Sequence, residues 1–121
     1  MKSIEMLDAA RGKQITFEEL GVNHTFFWAY TNSREAEAET LDFEDVIWEK
    51  DIPQIVDSCR RFGINRFTIS CKMSSMSETI WEFEKHGCKL LGMAMVNGRF
   101  KDWQTGEREK KPAFEIRVLP A

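Results

Sequence analysis

Residues 51–71 read DIPQIVDSCRRFGINRFTISC and contain the signals of one helix followed by one strand. Asp51 is a favourable residue before a helix, and Pro53 lies in the first turn, where its missing amide costs nothing. Apolar residues then recur at helical spacing up to Gly63, a residue that can end a helix in the left-handed conformation. From Phe67 onward, apolar and polar residues alternate as they do in a strand. This helix-to-strand unit predicts an α/β fold.

Two predicted elements precede this unit. Thr16 and Glu19 have the spacing of a capping box, and apolar residues follow at helical spacing, which predicts a helix from about residue 17 to about residue 36. Residues 40–48 then alternate, with apolar side chains on one face and acidic side chains on the other. This period predicts the first strand.

The elements after the unit follow from the same rules. Ser75 and Glu78 form a second capping box, which predicts a third helix ending at Gly87. Residues 90–96 predict a third strand, and the alternation in residues 114–118 predicts a final one.

The predicted order is therefore a helix, then β-α-β-α-β, then a closing antiparallel strand. Two crossover helices imply that the first three strands pair in parallel, with right-handed connections. The dipeptide Asn97-Gly98 is a strong signal for a two-residue hairpin, and the residues beyond it are equally compatible with a longer loop. We expect a single compact α/β domain over residues 15–121, after a loosely ordered lead-in over residues 1–14.

The composition limits the classes of function. The chain has 121 residues, of which 42% are hydrophobic and 31% are charged, enough for one domain with its own core. The net charge of -3 argues against a general nucleic-acid binder, and no apolar run reaches the roughly 20 residues of a membrane span. Three cysteines without a CxxC pair indicate buried, reduced thiols, so we expect a cytoplasmic protein.

The chain contains several separated stretches of distinctive sequence within about residues 24–118: LDFEDVIWEKDIP, FTIS, SETIWEFEKHGCKLLGM, and DWQTGE followed by PAFEI. Together they resemble a family of small uncharacterised proteins, with a domain of unknown function, from clostridial-type bacteria and their mobile elements. The resemblance implies a cytoplasmic accessory protein of phage or plasmid origin. Small proteins of that origin include inhibitors of bacterial defence systems, such as anti-CRISPR proteins. The resemblance carries no chemistry to individual residues.

Charge is distributed unevenly along the chain. Residues 35–51 contain eight acidic residues and one lysine, whereas residues 58–77 contain four basic residues and no acid. Several of the acids follow the predicted first helix, where negative charge is unfavourable. A solvated acidic face explains such a run, and so does a surface that binds a protein partner. The candidate partner-binding residues are Glu35, Glu37, Glu39, Asp42, Glu44, Asp45 and Trp103.

Trp103 joins this set because it lies in the polar stretch DWQTGE. A large ring at such a place either anchors its own loop, which is the commoner outcome, or contacts a partner.

A second candidate site is an anion site formed by Lys72, Ser74 and Ser75. These residues lie at a predicted helix N-terminus beyond the carboxyl end of a strand, where α/β sheets bind ligands. However, the loop contains no glycine, so its backbone cannot easily curl around a phosphate. The capping box also accounts for Ser75 without a ligand. We therefore expect weak binding of nucleotides or none.

Catalysis and metal binding have less support. Cys71 and His86 lie at opposite ends of the third helix, roughly 15 Å apart at the rise of an α-helix. Cys59, His86 and Cys88 form a candidate zinc set at one end of the sheet, but a free cysteine in an apolar stripe usually packs as a small hydrophobe. We expect neither an enzyme nor a bound metal or cofactor.

These observations favour a non-enzymatic module that binds a protein partner through an acidic surface. In its sharpest form, the hypothesis is an inhibitor of a host defence nuclease, because acidic side chains can occupy a site built for nucleic-acid phosphates. The hypothesis involves no direct contact with nucleic acid or membrane. The alternative is a small-molecule or nucleotide-binding module that uses residues 72–75.

Overall fold

The computed structural model of the protein describes residue 19 and residues 21–71 and 75–120. In chain order, the elements of this part are α1 (His24–Glu35), β1 (Leu41–Phe43), a 3-10 turn (Glu49–Asp51), α2 (Ile52–Arg61), β2 (Arg66–Ile69), α3 (Met76–Lys85), β3 (Cys88–Lys101) and β4 (Arg108–Val118). The predicted α/β class and its order of elements are confirmed. The predicted lead-in over residues 1–14 lies outside the described residues.

The described strands form one four-stranded sheet in the order β1-β2-β4-β3. β1 and β2 pair in parallel, as predicted, and β4 runs antiparallel to both of its neighbours. The predicted parallel pairing of the second and third strands is wrong, because β4 lies between them. Ile116 of β4 faces Phe67 of β2 on one side and Leu90 of β3 on the other. The closing strand is therefore central, and β3 forms an edge of the sheet.

A cluster of three phenylalanine rings forms the middle of the core. The ring centroid of Phe67 lies 5.3 Å from that of Phe43 and 5.1 Å from that of Phe83, and all three side chains are buried. The predicted apolar stripe of α2 is also confirmed as buried: Ile52, Ile55, Val56, Cys59 and Phe62. The helix ends as expected, with Gly63 in the left-handed region at φ +69°.

The first helix differs from its prediction. The chain has a left-handed residue at Gly21 (φ +70°), and α1 begins at His24, so one continuous helix from residue 17 to residue 36 is wrong. Asn23 caps α1, because its Oδ1 accepts a hydrogen bond from the Phe26 amide at 3.1 Å. Asp51, expected to cap α2, makes no side-chain capping bond and instead accepts a hydrogen bond from Thr25 Oγ1 at 3.3 Å. Among the described residues, no helix combines the length and the apolar character needed to cross a membrane.

The β3–β4 hairpin turns later than predicted. β3 continues through Asn97 and Gly98 to Lys101, so a two-residue turn at Asn97-Gly98 is wrong. The Asn97 side chain is used elsewhere, since its Nδ2 donates to the carbonyl oxygens of Ala36 at 3.2 Å and Glu37 at 2.9 Å. These contacts hold the far half of the hairpin against the turn that follows α1.

The other edge of the sheet, formed by β1, is covered by α1 through one hydroxyl. Ser33 Oγ accepts a hydrogen bond from the Asp42 amide at 2.8 Å, and it lies 3.3 Å from the Asp42 carbonyl oxygen. An uncovered edge strand presents free amides and carbonyls that can pair with another chain. Ser33 accepts from the outward amide of β1 and donates its own proton to the Ala29 carbonyl at 2.7 Å, so α1 covers this edge.

Replacing Ser33 with alanine should therefore destabilise the fold. The buried amide of Asp42 would lose its partner, which costs about 1–3 kcal/mol of unfolding free energy. The matched control is Thr31→Ala on the same helix, because within the described part of the chain the Thr31 hydroxyl bonds only the Phe27 carbonyl, at 3.1 Å, one turn earlier. Urea denaturation of both variants tests the assignment, and equal losses would show that Ser33 does not close the edge.

Candidate functional site

Asp42 is an interior residue, although the sequence pattern places it on an acidic surface. Its side chain is 3% exposed. Oδ1 accepts a hydrogen bond from Thr68 Oγ1 at 2.7 Å, and Oδ2 accepts one from Ser70 Oγ at 2.6 Å. Burial raises the pKa of the Asp42 carboxyl, while the hydrogen bonds from Ser70 and Thr68 oppose that rise. The prediction that Asp42 contacts a partner is wrong, because its carboxylate is held inside the protein.

Glu44 and Glu37 have partners on the hairpin. Glu44 Oε1 accepts from Lys111 Nζ at 2.6 Å, and both side chains are largely buried. Glu37 Oε1 lies 3.3 Å from Arg108 Nη2, and the Glu37 carbonyl accepts from Asn97. Two of the seven acids in the segment between α1 and α2 are therefore paired with cations of β4. A buried, paired carboxylate can bind a partner only if its internal ion pair breaks. We therefore remove Glu44 from the candidate partner-binding residues.

The remaining acids of the predicted surface are exposed. Glu35 is the last residue of α1, Glu37 and Glu39 lie in the turn that follows, and Asp45 follows β1. The side chain of Glu37 is 72% exposed despite its contact with Arg108. Glu37 also has φ +55°, a conformation that L-residues adopt rarely. We call Glu35, Glu37 and Glu39 the acidic turn, and it lies beside the hairpin because Asn97 bonds to it.

Trp103 lies at the tip of the hairpin and is 87% exposed. Because the ring is exposed, it does not anchor its own loop. The alternative in which Trp103 anchors the loop is therefore wrong. The turn is built from other groups: Asp102 Oδ1 accepts hydrogen bonds from the amides of Gln104 at 2.8 Å and Thr105 at 3.3 Å. The Asp102 amide donates to the Glu107 carbonyl at 2.7 Å, which closes the turn. Phe100, nearby on β3, is 66% exposed.

A polar cleft lies between the acidic turn and the sheet. It has a volume of about 240 Å³. Its lining carries both signs of charge, from Glu39, Glu115, Arg66 and Lys110 among others. Two of these residues, Arg66 and Glu115, form an ion pair at 3.4 Å. The cleft extends the charged surface beside the hairpin.

The anion-site prediction falls mostly outside the described residues. Lys72 and Ser74 lie there, while Ser75 precedes α3 without a side-chain capping bond, so the predicted capping role of its hydroxyl is wrong. The neighbouring Cys71 thiol has a raised pKa, first because it is buried and then because the carboxylates of Asp45 and Asp42 are close. The negative charge of these two carboxylates, at the ends of β1 and β2, disfavours the binding of an anion there. Weak binding of nucleotides stays a prediction.

The thiols match their predicted state. Cys59, Cys71 and Cys88 are all free and buried. Burial raises the pKa of the Cys59 thiol strongly and that of Cys88 to about 11, which disfavours the reactive thiolate form. No group of three or more His, Cys, Asp or Glu side chains in the described part of the chain could hold a metal ion. The candidate zinc set of Cys59, Cys88 and the exposed His86 is therefore not assembled there.

These features define a small mixed α/β domain with a long β-hairpin and a charged turn beside it. A family model described as a domain of unknown function, DUF7698, matches residues 25–118 of the chain. The chain belongs to this family, which confirms the resemblance to an uncharacterised family. No curated protein and no solved structure matches the chain.

The sequence reasoning missed the residues that neutralise the acids. The final strand was predicted only over residues 114–118. Lys111 and Arg108 lie before that range, so the prediction did not place them in a strand near β1. The available signal was the count of cations in the hairpin, where Lys101, Arg108, Lys110 and Lys111 lie within eleven residues of sequence.

Asp42 should impose a characteristic dependence of stability on pH. Because its folded-state pKa is raised, the folded protein binds a proton more tightly than the unfolded chain does. This contribution to stability is fully present below the unfolded pKa of about 3.9. It is lost as the pH rises through the folded pKa. Asp42→Asn should therefore gain in unfolding free energy relative to the wild type between pH 3 and pH 7, measured by urea denaturation.

A second variant checks the assignment. Ser70→Ala removes a hydrogen bond that lowers the pKa of Asp42, so the loss of stability should extend to higher pH in that variant. A difference between Asp42→Asn and wild type that stays constant, or that narrows with rising pH, would contradict a raised pKa.

Proposed function

We propose that the protein is a non-catalytic module that binds a protein partner through the tip of the β3–β4 hairpin and the acidic turn beside it. The observation that carries the proposal is Trp103, which is 87% exposed at the end of a turn fixed by Asp102. A tryptophan left almost fully in water loses the burial that its ring would gain in a core or in an interface. Tryptophan is also enriched among the residues that dominate binding energy.

The hairpin tip is suited to binding because it is ordered before a partner arrives. Asp102 and Thr105 fix the turn through side-chain-to-backbone hydrogen bonds, including one from the Glu107 amide to Thr105 Oγ1 at 3.2 Å. A preordered loop loses less conformational entropy on binding than a mobile one. Phe100, which is 66% exposed, adds a second aromatic side chain to the same end of the hairpin.

The acidic turn supports the proposal through charge. Glu35 and Glu39 are exposed, and the bonds from Asn97 to the carbonyls of residues 36 and 37 place this turn against the hairpin. The complementary surface on a partner is an apolar pocket for the indole with basic residues at its rim. Charges at a rim increase the rate of association more than they increase affinity.

The partner class to test first is a host enzyme that handles nucleic acid. A surface built for phosphates is basic, and carboxylates on a protein can occupy it. The resemblance to small proteins of clostridial-type bacteria and their mobile elements supports the sharpest form of this proposal, a cytoplasmic inhibitor of a defence nuclease of the anti-CRISPR kind. In this form the protein contacts the nuclease and not the nucleic acid.

Trp103→Ala should abolish or greatly weaken partner binding without affecting the fold. The matched control is Trp81→Ala, because Trp81 lies on α3 and is also largely exposed, at 61%. Proteins captured by the wild type and by Trp81→Ala, but lost with Trp103→Ala, are the candidates for purification. With a purified partner, biolayer interferometry should show a loss of affinity of roughly 30-fold for Trp103→Ala, which corresponds to about 2 kcal/mol. Equal affinity of both variants would refute the hairpin-tip site.

The same assay separates the contribution of charge. The double variant Glu35→Gln with Glu39→Gln should slow association at low salt and reduce its dependence on salt, with little change in dissociation. Asp42 and Glu44 are excluded from this variant because they lie inside the protein. An unchanged association rate in the folded double variant would leave the acidic turn as a solvated surface only.

A further inference from the structure

The two edges of the sheet differ in how far other parts of the chain cover them. β1 is covered by α1 through Ser33, whereas β3 pairs with β4 on one side and, among the described residues, with no strand on the other. At the start of this edge the Leu90 amide donates to Glu84 Oε2 of α3 at 3.5 Å, so the open part of the edge begins after Leu90. Natural edge strands are usually protected by charged residues, proline or bulges. Residues 90–98 of β3 read LLGMAMVNG, nine consecutive residues without a charge or a proline. Between its irregularities at Leu90/Gly92 and Asn97/Lys101, β3 keeps a regular register with β4.

The side chains of this edge are also exposed. Leu91 is 46% exposed, Met93 62% and Met95 63%. An uncovered, regular and apolar edge strand is a site for pairing with a further strand. The identity of that strand follows from the charges around the edge.

Cations bracket the open edge at both ends. Lys89 faces Arg117 of β4, which in turn faces Arg66 of β2, so three exposed cations form a row across three adjacent strands. At the other end, Lys101 faces Arg108. Two of these cations already have internal partners, since Arg108 lies 3.3 Å from Glu37 and Arg66 lies 3.4 Å from Glu115. The exposed cations at the edge itself are Lys89 and Lys101. Like charges directly opposite each other in a sheet are destabilising, and an opposite charge on the next strand relieves them. The next position in the row, beyond Lys89, lies at the open edge.

A second copy of the chain is a poor occupant of this edge. In an antiparallel pairing centred on the uncharged residues 92–97, Lys89 of each copy would lie next to Lys101 of the other, or within one residue of it. That arrangement would extend both groups of like charges. A strand with carboxylates near its ends has the opposite effect.

We infer that the open edge of β3 binds an extended segment of the partner as a fifth strand, with acidic residues that pair with Lys89 and Lys101. The inference deepens the proposed function, since it names the chemistry of the partner segment that lies beside the hairpin. Backbone hydrogen bonds from β3 supply affinity, and the two lysines select for acidic flanks. The apolar side chains of Met93 and Met95 contact alternate side chains of the added strand.

The test uses synthetic peptides and the complete protein. The probe is a labelled peptide of about 13 residues, alternating valine and threonine with two glutamates at each end, so that it reaches from Lys89 to Lys101. The control peptide carries lysines at those positions. Fluorescence anisotropy should show tighter binding of the glutamate peptide by roughly threefold to tenfold, the range expected from cross-strand charge pairs. NMR spectra should show that the amides of residues 88–97 respond, and that those of β1 do not.

Two variants make the result specific. Lys89→Glu should abolish the preference, because one end of the edge then favours each charge. Lys89→Glu combined with Lys101→Glu should reverse it in favour of the lysine peptide, which a general loss of structure would not do. A glutamate peptide methylated on alternate backbone nitrogens should bind at least tenfold more weakly if strand pairing is the mode. Equal binding of the two end-charge peptides, an unchanged preference in Lys89→Glu, or no response in β3 at millimolar peptide would overturn the inference.

The experiment is independent of the hairpin tip. Trp103→Ala should bind the glutamate peptide as the wild type does, because the peptide offers no pocket for an indole. If Trp103 proves not to bind a partner, the peptide can still bind to the edge of β3. If the peptide does not bind to that edge, Trp103 can still bind a partner. A dimer of the protein alone, with residues 88–97 protected from hydrogen exchange, would assign the edge to a second copy and contradict the inference.

Discussion

The insertion of β4 between β2 and β3 is the constraint on which the rest of the structure depends. β4 pairs on both sides, and Ile116 lies between Phe67 and Leu90 in the middle of the sheet. This position displaces β3 to the edge. It also carries the cations of β4 toward the segment between α1 and α2, where Lys111 meets Glu44 and Arg108 meets Glu37. Two acids of this segment, Glu37 and Glu44, are therefore internal partners of the hairpin.

The parts of the fold that depend on neighbouring residues could be predicted from the sequence. Pro53 and Gly63 mark the start and end of α2 through rules that act within one helical turn, and the structure confirms both. Several of the wrong predictions depend on distant contacts. The Asn97-Gly98 turn signal yields to hydrogen bonds with residues about 60 positions away, and Asp42 is enclosed by Thr68 and Ser70 rather than exposed by the period of its strand. Strand order depends on which pairs bury most apolar surface, and local patterns do not contain that information.

In the candidate site, too, some features are visible in the sequence and others depend on the fold. The excess of acid after α1 is visible in the sequence, but its partial neutralisation requires the path of the hairpin. Glu35 and Glu39 remain exposed, and Trp103, whose place in a polar stretch was already visible, is the aromatic side chain with the greatest exposure in the described part of the chain. Exposed charge beside a preordered aromatic tip is an arrangement typical of binding surfaces. The open edge of β3 and the aromatic tip belong to one hairpin, and the acidic turn lies beside it.

The central claim is that the acidic segment is an internal partner of the hairpin, and a double-mutant cycle on Glu44 and Lys111 tests it most directly. Urea denaturation of Glu44→Gln, Lys111→Met and the double variant gives the interaction free energy of this largely buried pair, which is joined at 2.6 Å. We expect a coupling of roughly 1–3 kcal/mol. The more exposed pair Arg66–Glu115, at 3.4 Å, should give less than about 0.5 kcal/mol in a matched cycle. Additive effects of Glu44→Gln and Lys111→Met would contradict the account, because they would show that the hairpin and the acidic segment do not hold each other in place.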